Sequence, residues 1–307
     1  MRSVLISLIW LLPLSANLLA GWSIQTSPTP YDLHGTSFAN PDSGWACGDY
    51  GTIINTANGG QVWGLQITPA PNPLYSIYFV DSRNGWAVGA QETIHNTTNG
   101  GAGWVQQHSG IYHLYGVHFL NQNEGWAVGQ GGAILHTTNG GTTWPATFPT
   151  TDEFHSVFFY DQARGWVVGR SVGLGVIGRT TNGGSTWLFI SHGQYLYDVH
   201  FIDSQRGWAC GTNGEIAYTS NAGGSWTTQH TGGNHLRAIW LVDQNAGWAV
   251  GDLGTILKTT NGGGTWAPET SPVTAHLNGV LFTDLNNGWA CGEGGTVIRY
   301  SGVGVTE

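Results

Sequence analysis

Six times in this chain a threonine and an asparagine stand two residues apart ahead of a glycine pair and a tryptophan, as in LHTTNGGTTW, Leu135 to Trp144. Backbone N–H groups of a Gly-rich loop could cradle a phosphate, and polar groups around a tryptophan could hold a sugar. The phosphate reading needs a lysine and a following helix, and the chain has a single lysine, Lys258. Metal chemistry fares no better. The twelve histidines are scattered, and neither an HExxH nor a CxxC pattern occurs. His118 and His200 share one repeat position, filled elsewhere by Ser, Tyr, Phe, Trp and Leu, which reads as packing variation rather than a ligand set. No metal or cofactor is expected.

The elements that would position these groups follow from a repeat. The dipeptide GW recurs at Trp45, Trp86, Trp126, Trp166, Trp208, Trp248 and Trp289, spaced by 41, 40, 40, 42, 40 and 41 residues. Each copy holds an apolar segment such as LYGVHFL, a polar turn, GWAVG, a second turn, a run such as AILHTT, the NGG turn and a short run from a second tryptophan. The segments are short and rich in β-branched and aromatic residues, with turn residues between them, so they read as strands. Four strands in about 40 residues make a β-propeller blade, and seven copies predict an all-β, seven-bladed β-propeller. The seventh copy stops after its third strand, whereas GWSIQTSP near the start aligns Trp22 with Trp63 and Trp226. The N-terminal strand is thus expected to complete the C-terminal blade and close the ring, which removes an open edge. The tryptophans are expected to be packing pegs, because fourteen platforms pointing in every radial direction would serve no single ligand.

Residues 1–20 read as a secretory signal, with Arg2 ahead of an apolar run broken by Pro13, leaving 21–307 as the propeller. Removing Arg2 from a chain of net charge −9 leaves the mature protein at −10. The expected location is periplasmic, extracellular or at the cell surface, with no transmembrane segment in the mature chain. Acidic balance excludes counterion-driven nucleic-acid binding. Cys47, Cys210 and Cys291 stand in GWACG where other copies have valine, so they behave as small buried hydrophobes rather than a disulfide set.

Propellers bind at the face formed by inter-blade loops and the loops between second and third strands. Eleven residues before each GW tryptophan, the opening of the inner strand reads His34, Tyr75, Tyr115, His155, Tyr197, Arg237 and Asn278. These positions vary between constant flanks, which marks them as a candidate binding mouth. The turn after GWAxG carries Asp49, Glu92, Asp252 and Glu293 in blades 1, 2, 6 and 7, against Gln130, Arg170 and Thr212 in blades 3 to 5. Ring closure would make the four acids an arc suited to a basic partner or cation. Blade 4 is two residues longer, which predicts an extended hairpin near Arg170 to Gly175.

The TTNGG element resembles the Asp box, with Asn58, Asn99, Asn139, Asn182, Asn221 and Asn261 where that pattern prefers Asp. Joined to GWAVG, as in GWAVGDLGTILKTTNGGGTW (Gly247 to Trp266), the repeat resembles the photosystem II stability and assembly factor family over all seven copies. The resemblance implies an exported, chaperone-like, non-catalytic propeller that binds a protein, such as a membrane-complex subunit, as a monomer. It also implies an arginine-rich surface. Here Arg83, Arg164 and Arg206 lie before GW in different blades and form no dense patch. Asp boxes also occur in sialidases and endoglucanases, so a glycoside hydrolase or a carbohydrate-binding surface protein is the alternative. A sialidase needs three converging arginines, and only Arg237 is basic among the mouth positions. A glycosidase needs two facing carboxylates, and Asp198 is the one inner-strand aspartate placed to face the arc. No catalytic residue is assigned.

Overall fold

The computed structural model describes residues 20–302; the predicted signal segment, but for its last residue, lies outside them. The described residues form seven four-stranded antiparallel sheets, one per repeat, arranged as a seven-bladed β-propeller. The ring closes as the sequence implies. The strand Gly21–Gln25 pairs antiparallel with Val297–Ser301 at the outer edge of the last sheet. Trp22 packs edge-on against Phe282 at 5.6 Å, and its indole N–H donates to Glu269 of the preceding blade at 3.0 Å.

The GW tryptophans are the pegs. All seven are at most 2% exposed. Each lies flat on an apolar side chain of the next blade's inner strand: Trp45 on Phe79, Trp86 on Phe119, Trp126 on Phe159, Trp166 on Phe201, Trp248 on Phe282 and Trp289 on Phe38, with centroids 3.5 to 3.7 Å apart. The second tryptophan meets the same phenylalanine edge-on, as Trp144 does with Phe119 at 5.8 Å. Offset-stacked and edge-to-face pairs are favourable aromatic geometries and add to the area they bury. The interface between blades 5 and 6 alone has Leu241 in the phenylalanine's place, clustered with Trp208 and Trp266.

This packing also explains why glycine precedes the tryptophan. A Cβ on Gly125 would lie 2.4 Å from the Phe119 ring, its cross-strand neighbour. At the last glycine of GWAVG, a Cβ on Gly129 would lie 1.9 Å from the His113 carbonyl oxygen.

The asparagine-glycine hairpins close the end opposite the mouth in blades 1 to 6. Thr137 Oγ1 accepts from Gly141 N at 2.8 Å, and Asn139 Oδ1 accepts from Thr143 N at 3.0 Å. The other copies repeat these bonds, for instance Gly60 N to Thr56 Oγ1 and Gly263 N to Thr259 Oγ1. Asn therefore does the turn-shaping work of the Asp in the related pattern.

Candidate functional site: the mouth of the central channel

All seven inner strands carry a register shift at one place: Leu33/Gly35, Leu74/Ser76, Leu114/Gly116, Phe154/Ser156, Leu196/Asp198, Leu236/Ala238 and Leu277/Gly279. The residue each shift skips is a mouth position. A β-bulge leaves its extra residue out of the ladder and re-aims its side chain. Here the bulge brings His34, Tyr75, Tyr115, His155, Tyr197, Arg237 and Asn278 to one cavity of about 210 Å³ on the propeller axis.

Five of the seven form a continuous aromatic arc over blades 1 to 5. Centroid separations are 5.6 Å for His34–Tyr75, 5.3 Å for Tyr75–Tyr115, 5.2 Å for Tyr115–His155 and 5.5 Å for His155–Tyr197. Burial, helped by the charge of Glu153, pushes the Tyr115 phenol up to about 12. Burial likewise raises Tyr75 and Tyr197. The phenols therefore stay neutral at physiological pH. Arg237 and Asn278 complete the ring; Asn278 Nδ2 donates to the Leu33 carbonyl at 2.9 Å.

The acidic positions are placed differently from one another. Asp49, Asp252 and Glu293 each open the short 3-10 turn that joins second and third strands, whereas Glu92 ends its turn, two positions later. Glu92 lies 3.2 Å from His108, out on the blade. The arc is thus three turn-opening acids with Glu92 set apart. The offset is already present in the sequence, where Asp49 directly follows Gly48 and Glu92 is the third residue after Gly89. The acids are also engaged within the chain. Asp49 Oδ1 is 2.8 Å from His34 Nε2. Asp252 accepts from Arg237 Nε and lies 2.8 Å from His276 Nδ1, and these two partners draw its carboxyl below the usual range against the effect of burial.

Three features of this face escape the repeat-by-repeat reading. Glu153 precedes the bulge in blade 4 and lies 3.2 Å from His155 and 3.0 Å from Arg170; the imidazole, then the guanidinium, hold it at about 2. Arg170 belongs to the longer blade-4 hairpin, which is formed by Gly165–Arg170 and Gly175–Thr180 with Arg170 paired to Gly175. Tyr50 and Leu253 occupy the middle of their turns at φ of +56° and +55°, 66% and 63% exposed. Blades 3 and 7 put Gly131 and Gly294 there. Bulky residues at positive φ are outliers that cluster at ligand clamps and switches. Lastly, the histidines gather here. His113 and His235 stand beside Tyr75 and Tyr197, and His192 and His230 contact Glu215 and the Gly214 carbonyl. Their scatter in the sequence conceals this, because they occupy three different positions of the repeat.

Below the mouth the channel wall is built of small residues, Gly35, Ser76, Gly116, Ser156, Ala238 and Gly279, with Asp198 at the equivalent place in blade 5. Asp198 is the one acid among the described residues lining the cavity. Its carboxylate accepts from Ser156 Oγ at 2.8 Å and from Val199 N and Ile239 N at 2.9 Å each, tying blades 4, 5 and 6. Burial nevertheless raises it to about 6. Nearer the far end stand His118 and His200, both buried and driven down to about 3 by desolvation. Their rings continue an aromatic belt from Tyr78 through Phe158 to Trp240, with neighbours 4.2 to 5.4 Å apart. No group of three or more metal-ligating side chains exists among the described residues, and none of their helices is long and apolar enough to cross a membrane.

Comparison with known proteins agrees with this architecture. Residues 65–148 match the family model described as photosynthesis system II assembly factor YCF48. No curated protein matches the chain. A structure of YCF48 bound to D1 peptide superposes with a TM-score of 0.75 at 22% identity, covering 91% of this chain and 96% of that one. YCF48 from Cyanidioschyzon merolae gives 0.76 at 22% identity over 92% and 99%. The WD40 β-propeller domain of Doa1 gives 0.77 at 11% identity over 92% and 97%, so the shape of the ring is shared well beyond this repeat. The chain is a seven-bladed β-propeller that matches the photosystem II assembly factor model over residues 65–148 and shares the fold of the YCF48 structures.

Proposed function

We propose that this protein is an exported, monomeric, non-catalytic propeller that docks a segment of a protein partner at the mouth of its channel, as an assembly factor or surface scaffold. One observation carries the reading. Seven blades of like backbone differ where a bulge turns one polar or aromatic side chain of each into a common cavity. A solely structural ring has no need of seven separate choices there. The exposed Tyr50 and Leu253, held at positive φ on the same face, support it. So does the peptide held by the similar YCF48 structure. Export rests on the segment 1–20. A non-catalytic role fits a cavity whose lining includes a single carboxylate, since hydrolysis of a glycosidic bond calls for a pair.

The test is site-directed photo-crosslinking in the native envelope. A crosslinking residue at Tyr115 should capture one defined protein, and the same residue at Thr142, in a hairpin at the opposite end, should not. Equal capture from both ends, or sugar release from a glycan panel, would refute the reading.

A further inference from the structure

The docking site has a chemical preference built into it. The aromatic arc presents the faces and edges of Tyr75, Tyr115 and Tyr197 around an opening whose phenols are neutral. Ring faces carry negative quadrupole charge and attract cations within about 6 Å. The fixed charges lean the same way. Arg237 is engaged by Asp252, and Arg170 by Glu153. Asp49 and Asp198 add two further carboxylates with no arginine or lysine among their partners. With both guanidinium groups paired, Asp49 on the rim and Asp198 inside the cavity are left without a cationic arginine or lysine partner, which favours a positive guest.

Asp198 supplies the end point. It stands one residue beyond the bulge, about 3.3 Å further along the strand, on the wall of the same cavity. Its three donors come from the protein itself and hold the carboxylate in place. A carboxylate offers about four acceptor positions, so one remains for a guest. Every other blade has Gly, Ser or Ala at this position, so ring closure and blade packing do not call for an acid there. A partly buried acid on this wall costs stability unless a counter-charge meets it.

We propose that the channel mouth takes a cationic side chain, lysine or arginine, of the docked partner, with the stem passing between the tyrosines and the head group meeting Asp198. This rests on the docking reading and adds the residue class that is read.

The probes are capped tripeptides, acetyl-Gly-X-Gly-amide, with X as lysine, arginine, norleucine or glutamate, titrated by calorimetry and ligand-observed NMR at pH 7.5 in low salt. The lysine or the arginine peptide should bind at least about tenfold more tightly than the norleucine peptide, which keeps the stem and loses the charge, and should weaken as salt rises. Asp198→Ser should abolish that preference. Serine already fills this place in blades 2 and 4 as Ser76 and Ser156, and thermal unfolding checks that the variant is folded. Should the variant not fold, the lysine-to-norleucine ratio and its salt dependence in the unaltered protein still decide. Equal binding of norleucine, preference for glutamate, no binding of any probe, or a charge preference that survives Asp198→Ser would each overturn the inference. A partner still crosslinked at Tyr115 in the Asp198→Ser protein, alongside probes that fail to discriminate, would leave the docking reading standing and remove only this one.

Discussion

The two ends of this propeller are under different constraints. At the hairpin end six of the seven blades repeat the same bonds, threonine to the glycine N–H and asparagine to the turn, and the tryptophan rests on the next blade's inner strand. At the mouth no pattern repeats. Histidine, tyrosine, arginine and asparagine occupy one geometric position, and each has a different partner. The hairpin end must satisfy a neighbour that is another copy of itself, which selects one solution six times over. The mouth faces a single axial space shared by all blades, so each position can be chosen separately. The lesson is to locate function by where copies of a repeat disagree under a constant backbone.

The contrast can be broken by substitution. Trp126→Ala removes a fully buried peg stacked at 3.5 Å on Phe159. It should cost about 3–5 kcal/mol in chemical denaturation. Tyr115→Ala, one strand away at the mouth, should cost under about 1.5 kcal/mol yet abolish partner capture. Similar losses of stability from both would mean that the mouth is also architecture.

Acid should act next most strongly, through three histidines buried between the inner strands and blades. Desolvation lowers His95 to about 4 and His118 and His200 to about 3 from an ordinary 6.5. A histidine depressed in the folded state leaves stability intact above 6.5. The unfolded chain alone takes up the proton as pH falls, so stability is lost progressively towards the folded value. Each should cost on the order of 2 kcal/mol between pH 6.5 and 5. Asp198 opposes this, since its raised carboxyl favours folding as pH falls through about 6. The net expectation is a falling midpoint of thermal unfolding below pH 6.5; a flat profile from pH 7 to 5 would contradict these burials.

His95 sharpens the comparison from the other side. It is fully buried, and neither ring nitrogen has a hydrogen-bond partner. Blades 3 and 6 place Leu135 and Leu257 at the matching point of their third strands. His95→Leu should stabilise by about 1–3 kcal/mol and flatten part of the acid response. Destabilisation instead would show that His95 has a role its packing does not reveal.

The smallest expected effect lies in the blade-5 hairpin. Ala222 adopts φ of +57° where the other hairpins use glycine, as at Gly140 with +67°. Ala222→Gly should raise stability by up to about 1 kcal/mol, with no change in partner capture.

The sequence by itself determined the blade count, the strand order and the closing of the ring through Trp22. These depend on local periodicity and on the fourth strand missing from the seventh copy, both legible along the chain. It also singled out the seven mouth positions, because they vary while their flanks do not. It did not show why they converge. That depends on a bulge in each inner strand, a feature of backbone register with no residue signature of its own. Nor did it gather the histidines onto one face, or set Asp198 against Ser156 and Ile239. Those relations join residues about 40 positions apart, and only the tertiary structure brings such residues within a hydrogen bond of each other.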